Sequence, residues 1–286
     1  MNDQTKEIIA GEYMNNIEIE IFNIAKTQVD KEEVRRWLDY LNVSDEWQFP
    51  PEEVVSNPAL NIALAAKRCY MSFEAGLNPN VTKVRSDFIE YFDNVLKSGH
   101  GSITEHSVFS FAIEGVSRVF TAEMNRHRAG WAISEGSLRF IRFDKKIPWW
   151  LPLSLREDEN DDADLKERKQ RSREIFDKAF KHQEECYGEL LKVWDMESTD
   201  KNFSYKKKVT SCLRRIVGMG VATGGVWTGN IRALRHVMTM RAAEAAEEEI
   251  CHVFSRIAKK MRDTEPLLFG DFIEENGFWR PKYVKV

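Results

Sequence analysis

A mostly apolar run that stops at a cluster of cations constrains this chain more than any other feature. Phe109–Asn125 contains Phe109, Phe111, Ile113, Val116, Val119 and Phe120, and it runs straight into EMNRHRAGWAISEGSLRF, Glu123–Phe140. Arg126, Arg128 and Arg139 share that short span with His127, Glu135 and Ser137. Arg118 lies just upstream, and Arg142, Lys145 and Lys146 lie just downstream. The apolar run reads as helix-like, so the cations are expected at the end of a buried helix. If that helix continues to His127, Glu123 shares a face with Arg126 and His127, and Gly130 then permits a turn. The whole chain has formal net charge -4, so the cluster inverts the local sign. Guanidinium groups are planar, bidentate donors matched to phosphate and carboxylate. A hydroxyl and a carboxylate among them can read a sugar or a polar ring edge. The expected ligand is a phosphorylated small molecule. Against it stands the ordinary reading of any RHR triplet, a solvated or ion-paired surface.

A chain of 286 residues can hold one large domain or two small ones. Its 42% hydrophobic content supplies a core. An isoelectric point near 6.0 argues against a general nucleic-acid coat. Cys69, Cys186, Cys212 and Cys251 are far apart and form no CxxC pair. They read as free thiols of a reducing compartment, not as a zinc site or disulfide framework. His100, Glu105, His106 and His127 are conceivable metal ligands, but no helical HExxH spacing joins them, and no metal is expected. MNDQTKEIIAGEYMNN has neither a basic n-region nor an apolar h-region, and no apolar run approaches the roughly 18 residues of a membrane span. A soluble cytoplasmic protein is expected.

Along the chain, Ile17–Ile24 alternates as a half-buried strand does. Helices are expected over Lys31–Leu41 (with Trp37 and Leu41 inward), Asn57–Cys69 and Lys83–Lys97. Ser98–His106 is a turn displaying His100, with Ser102 or Thr104 capping a following helix and Glu105 in its first turn. Phe143–Leu155, with Pro148, Trp149, Trp150 and Pro152, reads as an irregular aromatic surface or interface segment. Arg156–Arg173 reads as a solvated loop entering a helix over about Glu167–Trp194, and a charged insertion is expected near 145–165 in a single domain. Ile216–Gly225 contains Gly218, Gly220 and Gly224, but a dinucleotide fingerprint needs a preceding strand and an acid about 20 residues on. Neither is present, so these glycines allow close packing or a bend. Thr228–Met261 reads as one long helix. Asn230 and Arg241 would return to nearly one face, and Arg232 and His236 would share another. The acidic run Glu244–Glu249 could compensate exposed arginines.

At these residues the chain resembles the flavin-dependent thymidylate synthases. Their signature is RHR followed by E-x-S-x-R-[YF], here Arg126-His127-Arg128 and Glu135-Gly136-Ser137-Leu138-Arg139-Phe140. Gly99-His100-Gly101-Ser102, Glu105-His106, Ser117-Arg118 and Glu123 match upstream features. Asn230-Ile231-Arg232, Met240-Arg241 and Glu249-Ile250 match downstream ones. The likeness covers about Cys69–Phe140 and Arg214–Phe272. It implies an α+β fold with a central sheet flanked by helical bundles, assembled as a homotetramer. It also implies reductive methylation of dUMP to dTMP, with carbon from methylenetetrahydrofolate and hydride from FAD reduced by NADPH. By the same resemblance, Ser102, Arg126, His127, Arg128, Glu135, Asn230, Arg232 and His236 hold FAD. Glu123, Arg126, Ser137, Leu138, Arg139 and Arg241, with Arg214 or Arg215, hold the nucleotide. Arg241 is the catalytic residue, stabilising negative charge on the pyrimidine, and Ser137 is a positioning hydroxyl. The partners implied are a pyrimidine nucleotide, a folate and further copies of the chain, with no membrane or nucleic acid.

Several positions depart from that pattern. Arg126 and Arg139 are thirteen apart, one more than is usual in the family. Trp131 stands where a serine follows RHR, Leu138 where a small or polar residue is common, and His236 where an asparagine is usual. Proline is missing after Arg215-Ile216-Val217, and Asp158–Asp164 is extra. All but the acidic loop fall on the implied ligand sites. A changed nucleotide such as UMP, or hydroxymethylation instead of methylation, would fit that drift. A nucleic-acid-binding protein without catalysis is the competing class.

Overall fold

A computed structural model describes residues 17–43, 49–81, 84–85, 87–143 and 146–284. In chain order its main elements are β1 (Glu20–Lys26), α1 (Lys31–Tyr40), α2 (Asn57–Tyr70), α3 (Phe88–Lys97), β2 (Val108–Ser117), α4 (Arg118–Met124) and β3 (Trp131–Glu135). Next come α5 (Ala163–Val193), α6 (Phe203–Leu213), β4 (Ala222–Asn230), α7 (Ile231–Arg241), α8 (Glu248–Thr264), α9 (Pro266–Phe269), β5 (Phe272–Glu275) and β6 (Phe278–Pro281). Four strands form one sheet in the order β1-β2-β4-β3, and β5 and β6 form an antiparallel hairpin. The class is α+β, as expected.

The chain divides into two compact units. One contains the described residues up to Ile21, Ala112–Arg126 and Ile133–Val226. The other contains Phe22–Phe111, His127–Ala132 and the chain from Trp227 onward. The described residues of 145–165 lie inside the first unit.

The expected buried helix is mostly a strand. Val108–Ser117 alternates in burial along β2, and only Arg118–Met124 is helical. An apolar run buried on both faces carries no period that separates helix from strand. Gly115 settles the matter, because its φ of +79° lies outside helical backbone and its missing side chain lets Glu18 approach. The helix therefore ends at Met124, before the RHR triplet. Phe143–Leu155 is also corrected: Ile147, Trp149, Trp150 and Leu151 are core, not surface. Trp149 bridges antiparallel to Val221 and stacks on Phe180 of α5, ring centroids 4.9 Å apart. The α5 helix starts at Ala163, earlier than expected, because Asp162 caps it by accepting from Leu165 N. Arg173 on that helix is buried, donating to Leu155 O and Glu157.

The second unit is built on capped helices. Asp30, Ser56 and Asp87 each accept backbone N–H groups at the starts of α1, α2 and α3. Leu38, rather than Trp37 or Leu41, is the fully buried residue of α1. Gly101–His106 forms a short 3₁₀ turn without a side-chain cap, and β2 follows it, so neither Ser102 nor Thr104 caps a helix there. Thr104 Oγ1 instead donates to Gly101 O. The long helix expected over Thr228–Met261 is a strand end and two helices. Asn230 closes β4 and caps α7, and Glu247 caps α8 by accepting from Glu249 N and Ile250 N. Two capping side chains interrupt what the hydrophobic pattern alone would run together. The buried Arg235 of α7 donates to both oxygens of Asp271 and to Leu268 O, tying α7 to the segment after α9.

Candidate functional site

The first unit holds an open cleft of about 620 Å³ whose polar groups come from three local segments. Arg118 opens α4, whose start is capped by Ser117 Oγ accepting from Val119 N. Its backbone N–H donates to Val221 O. Its Nη1 lies 2.9 Å from Glu135 Oε1, at 15% side-chain exposure, and its Nη2 donates to Gly136 O. Asn125 Nδ2 donates to the other oxygen of Glu135 at 3.3 Å. Glu135 ends β3, and the chain then turns: Gly136 N donates to Gly224 O, and Ser137 O accepts from Phe140 N and Ile141 N. That turn sets Ser137 and Leu138 on the cleft wall. Arg214 and Arg215 reach it from the 3₁₀ turn after α6. Arg215 Nη1 also donates to Ser211 O at 2.6 Å.

Three arginines and a serine thus line one open depression. Its volume lies within the range of small-ligand sites, about 300–1,000 Å³. Glu135, which the family resemblance assigned to FAD, lines this cleft together with Ser137, Leu138, Arg214 and Arg215, which it assigned to the nucleotide. Glu123, Arg126 and Arg139 belong to the same unit but do not line the cleft. Arg118 and Asn125 do line it and were not assigned to the site from sequence. Arg118 had a signal, as the first cation after the apolar run. Asn125 had none, because its place depends on α4 stopping at Met124.

The second unit carries the remaining candidates. Asn230 Oδ1 accepts from Ala233 N at 2.8 Å, so that oxygen serves the helix cap. Gly130, at φ +75°, packs on the same side chain: a Cβ there would stand 2.7 Å from Asn230 Nδ2. Arg232 and His236 lie one turn apart on the exposed side of α7. Arg232 Nη1 meets Glu105 Oε1 at 2.6 Å, both about half exposed. Arg241, in the last turn of α7, donates from Nε to His127 Nε2 at 2.8 Å. That bond makes Nε2 the acceptor nitrogen of His127. The His127 and His236 rings meet edge to face at 6.3 Å. Ser102 and Arg128 are exposed. Asn230 is not helical, so it does not share a helix face with Arg241 as expected.

No group of His, Cys, Asp and Glu among the described residues is arranged to hold a metal ion. No helix among them is long and apolar enough to cross a membrane. The four cysteines are unpaired thiols.

A family model described as thymidylate synthase complementing protein matches residues 53–267. The flavin-dependent thymidylate synthase of Mycobacterium tuberculosis (strain H37Rv) is 30% identical over 217 residues, 75% of this chain and 79% of its own. That of Mycobacteroides abscessus is 31% identical over the same shares, and that of Corynebacterium efficiens is 28% identical over 74% and 78%. Among solved structures, thymidylate synthase X from Helicobacter pylori, crystallised with FAD and dUMP, superposes with a TM-score of 0.52 at 17% identity. The match covers 89% of this chain and 98% of that one. At such identity the likeness speaks to the fold.

Proposed function

The chain belongs to the thymidylate synthase complementing protein family, and from that premise we propose that it catalyses FAD-dependent reductive methylation of dUMP to dTMP. Methylenetetrahydrofolate supplies the carbon and NADPH the reducing equivalents. The observation that carries this reading is the cleft lined by Arg118, Arg214, Arg215 and Ser137. A nucleoside monophosphate offers the complementary groups: a dianion for the guanidiniums and sugar or ring oxygens for the hydroxyl. Glu123, Arg126 and Arg139 complete nucleotide recognition as the family motif implies. Ser137 positions the substrate and does not attack it.

The donor set of the second unit fits FAD. Exposed Arg128, Arg232 and His236, with Ser102, present cations and a hydroxyl suited to a pyrophosphate and a polyol. With His127 and Asn230 of the same unit they would hold the cofactor, and the family motif implies Arg126 and Glu135 for that role as well. Bound FAD would supply the redox power that converts the transferred carbon into a methyl group. Arg241 places positive charge at the pyrimidine and stabilises the negative charge that develops there. Its Nε donates to His127, which fixes the plane of the guanidinium. The working form in this reading is a cytoplasmic homotetramer whose partners are a nucleotide and a folate. The isoelectric point near 6.0 supports small-molecule rather than nucleic-acid ligands.

The test is the visible spectrum of the purified protein after reconstitution with FAD. NADPH is then added, followed by methylenetetrahydrofolate with dUMP or with UMP, and product mass is read. Flavin bands that bleach with NADPH, with dTMP formed only from dUMP, support the proposal. A different product mass, or turnover of UMP alone, replaces its substrate. Failure to bind FAD removes it.

A further inference from the structure

The glycine-rich turn after Arg215 carries a methionine at its tip, and the turn is pinned on both sides. Gly218 N donates to Gln183 Oε1 of α5 at 2.7 Å. Val221 N donates back to Gly218 O at 3.1 Å, and Gly220 O accepts from Trp150 N at 3.4 Å. A Cβ at Gly220 would stand 3.0 Å from the Phe180 ring, so the turn is seated closely on α5. Met219, between the two glycines, is 56% exposed and lines the arginine cleft beside Arg214 and Arg215. Other methionines are sheltered: Met124, Met196, Met238 and Met261 are at most 1% exposed. Among the described residues only Met240 is comparably open, and it does not line this cleft.

Burial keeps a thioether from dissolved oxidants, and exposure presents it to them. We propose that Met219 is an oxidation site whose sulfoxide weakens anion binding in the arginine cleft. With hydrogen peroxide the step balances: the O–O bond breaks, an S–O bond forms, sulfur gives up two electrons, and water leaves. A flexible apolar side chain thereby becomes a polar one with a hydrogen-bond-accepting oxygen. The donors on this wall are guanidinium groups, so the new acceptor competes with the oxygens of an anionic ligand. The pinned turn keeps the oxidised side chain at the cleft. Methionine sulfoxide reductases reverse the change, which makes the site a switch and not only a lesion. The inference rests on the cleft as an anion site and not on the flavin reaction.

The test treats the full chain with dilute hydrogen peroxide. Peptide mass spectrometry maps the oxidised methionines, and calorimetry measures binding of inorganic pyrophosphate before and after. Met219 should oxidise well before Met124, Met196, Met238 and Met261, and saturating pyrophosphate should slow its oxidation. Peroxide should weaken pyrophosphate binding about fivefold, the scale of one lost hydrogen bond, and sulfoxide reductase should restore it. In Met219→Leu, peroxide should leave the affinity where it stood before treatment. Met219 oxidising no faster than the buried methionines, an affinity indifferent to peroxide, or an equal loss in Met219→Leu overturns the proposal. Pyrophosphate that fails to bind the untreated chain also overturns it, because the cleft is then no anion site. Flavin bands and dTMP formation enter none of these readouts, so the two readings fail separately.

Discussion

Replacing Asp271 by alanine should destabilise the second unit more than any surface substitution in it. The Asp271 carboxylate accepts from Arg235 Nη1 at 2.7 Å and Nη2 at 2.8 Å, and from Tyr283 N at 3.2 Å. The two side chains are only 3% and 6% exposed. Arg235 also lies over the Phe272 ring, 5.0 Å from its centroid. Asp271→Ala would leave a guanidinium buried with Leu268 O as its nearest strong acceptor. Stranding one partner of a buried pair costs about 3–5 kcal/mol, a large part of the ~5–15 kcal/mol that holds a typical protein together. Because α7 also carries Arg232, His236 and Arg241, flavin binding should weaken in parallel. Urea unfolding followed by circular dichroism measures the first effect and flavin fluorescence the second. The control is Arg235→Met combined with Asp271→Leu, which removes both charges and should recover most of the loss. A loss below about 1 kcal/mol for Asp271→Ala at unchanged denaturant slope would refute the argument, because the guanidinium would then be reaching water.

Arg118→Ala removes one cation from the nucleotide cleft and leaves Glu135 without its ion-pair partner, so the Kd for nucleotide should rise about tenfold or more. Equilibrium dialysis with dUMP reads it, and an unchanged Kd would place the phosphate elsewhere. Gly115→Ala should lower stability by about 2 kcal/mol or more, because φ is +79° and the new Cβ would lie 2.3 Å from Glu18 O. Calorimetric melting checks this, and an unmoved Tm would contradict it. Burial, with a smaller contribution from Tyr70, pushes the Tyr91 phenol up to about 12 from its ordinary 10.0. The folded state therefore holds that proton where the unfolded chain has lost it. Stability should fall as pH rises from 10 toward 12, and Tyr91→Phe should flatten that limb in an ultraviolet titration.

Much of the site was legible as chemistry before it was legible as geometry. The RHR and E-x-S-x-R motifs marked Glu135, Ser137 and Leu138, and the Arg-Arg pair at 214 and 215 was flagged without a choice between them. The structure keeps all five on one cleft. Arg118 was marked in the sequence by the Ser117-Arg118 match, but its place on the cleft follows from α4 beginning where β2 stops, which brings its guanidinium to the end of β3. Glu114 left no trace in the sequence. Its carboxyl rests over Gly224, a contact between residues more than a hundred apart in the chain.

Local signals determined what local energetics control. Asp30 and Ser56 start helices because a short oxygen side chain satisfies free N–H groups within three residues. The glycine run at 218–224 bends into a strand and not into a nucleotide-binding helix, as the missing strand and acid implied. By itself the sequence thus determined the motif chemistry, the first helices and the α+β class. Tertiary structure decided the rest. Phe109–Ser117 is a strand because β4 and β1 flank it, although its apolar run fits a helix equally well. Trp149 is core because Val221 and Phe180 cover it, although prolines beside it suggested a surface loop. The physical reason is common to both. A segment's burial and hydrogen-bond partners are supplied by residues distant in sequence, and no window of the chain contains them.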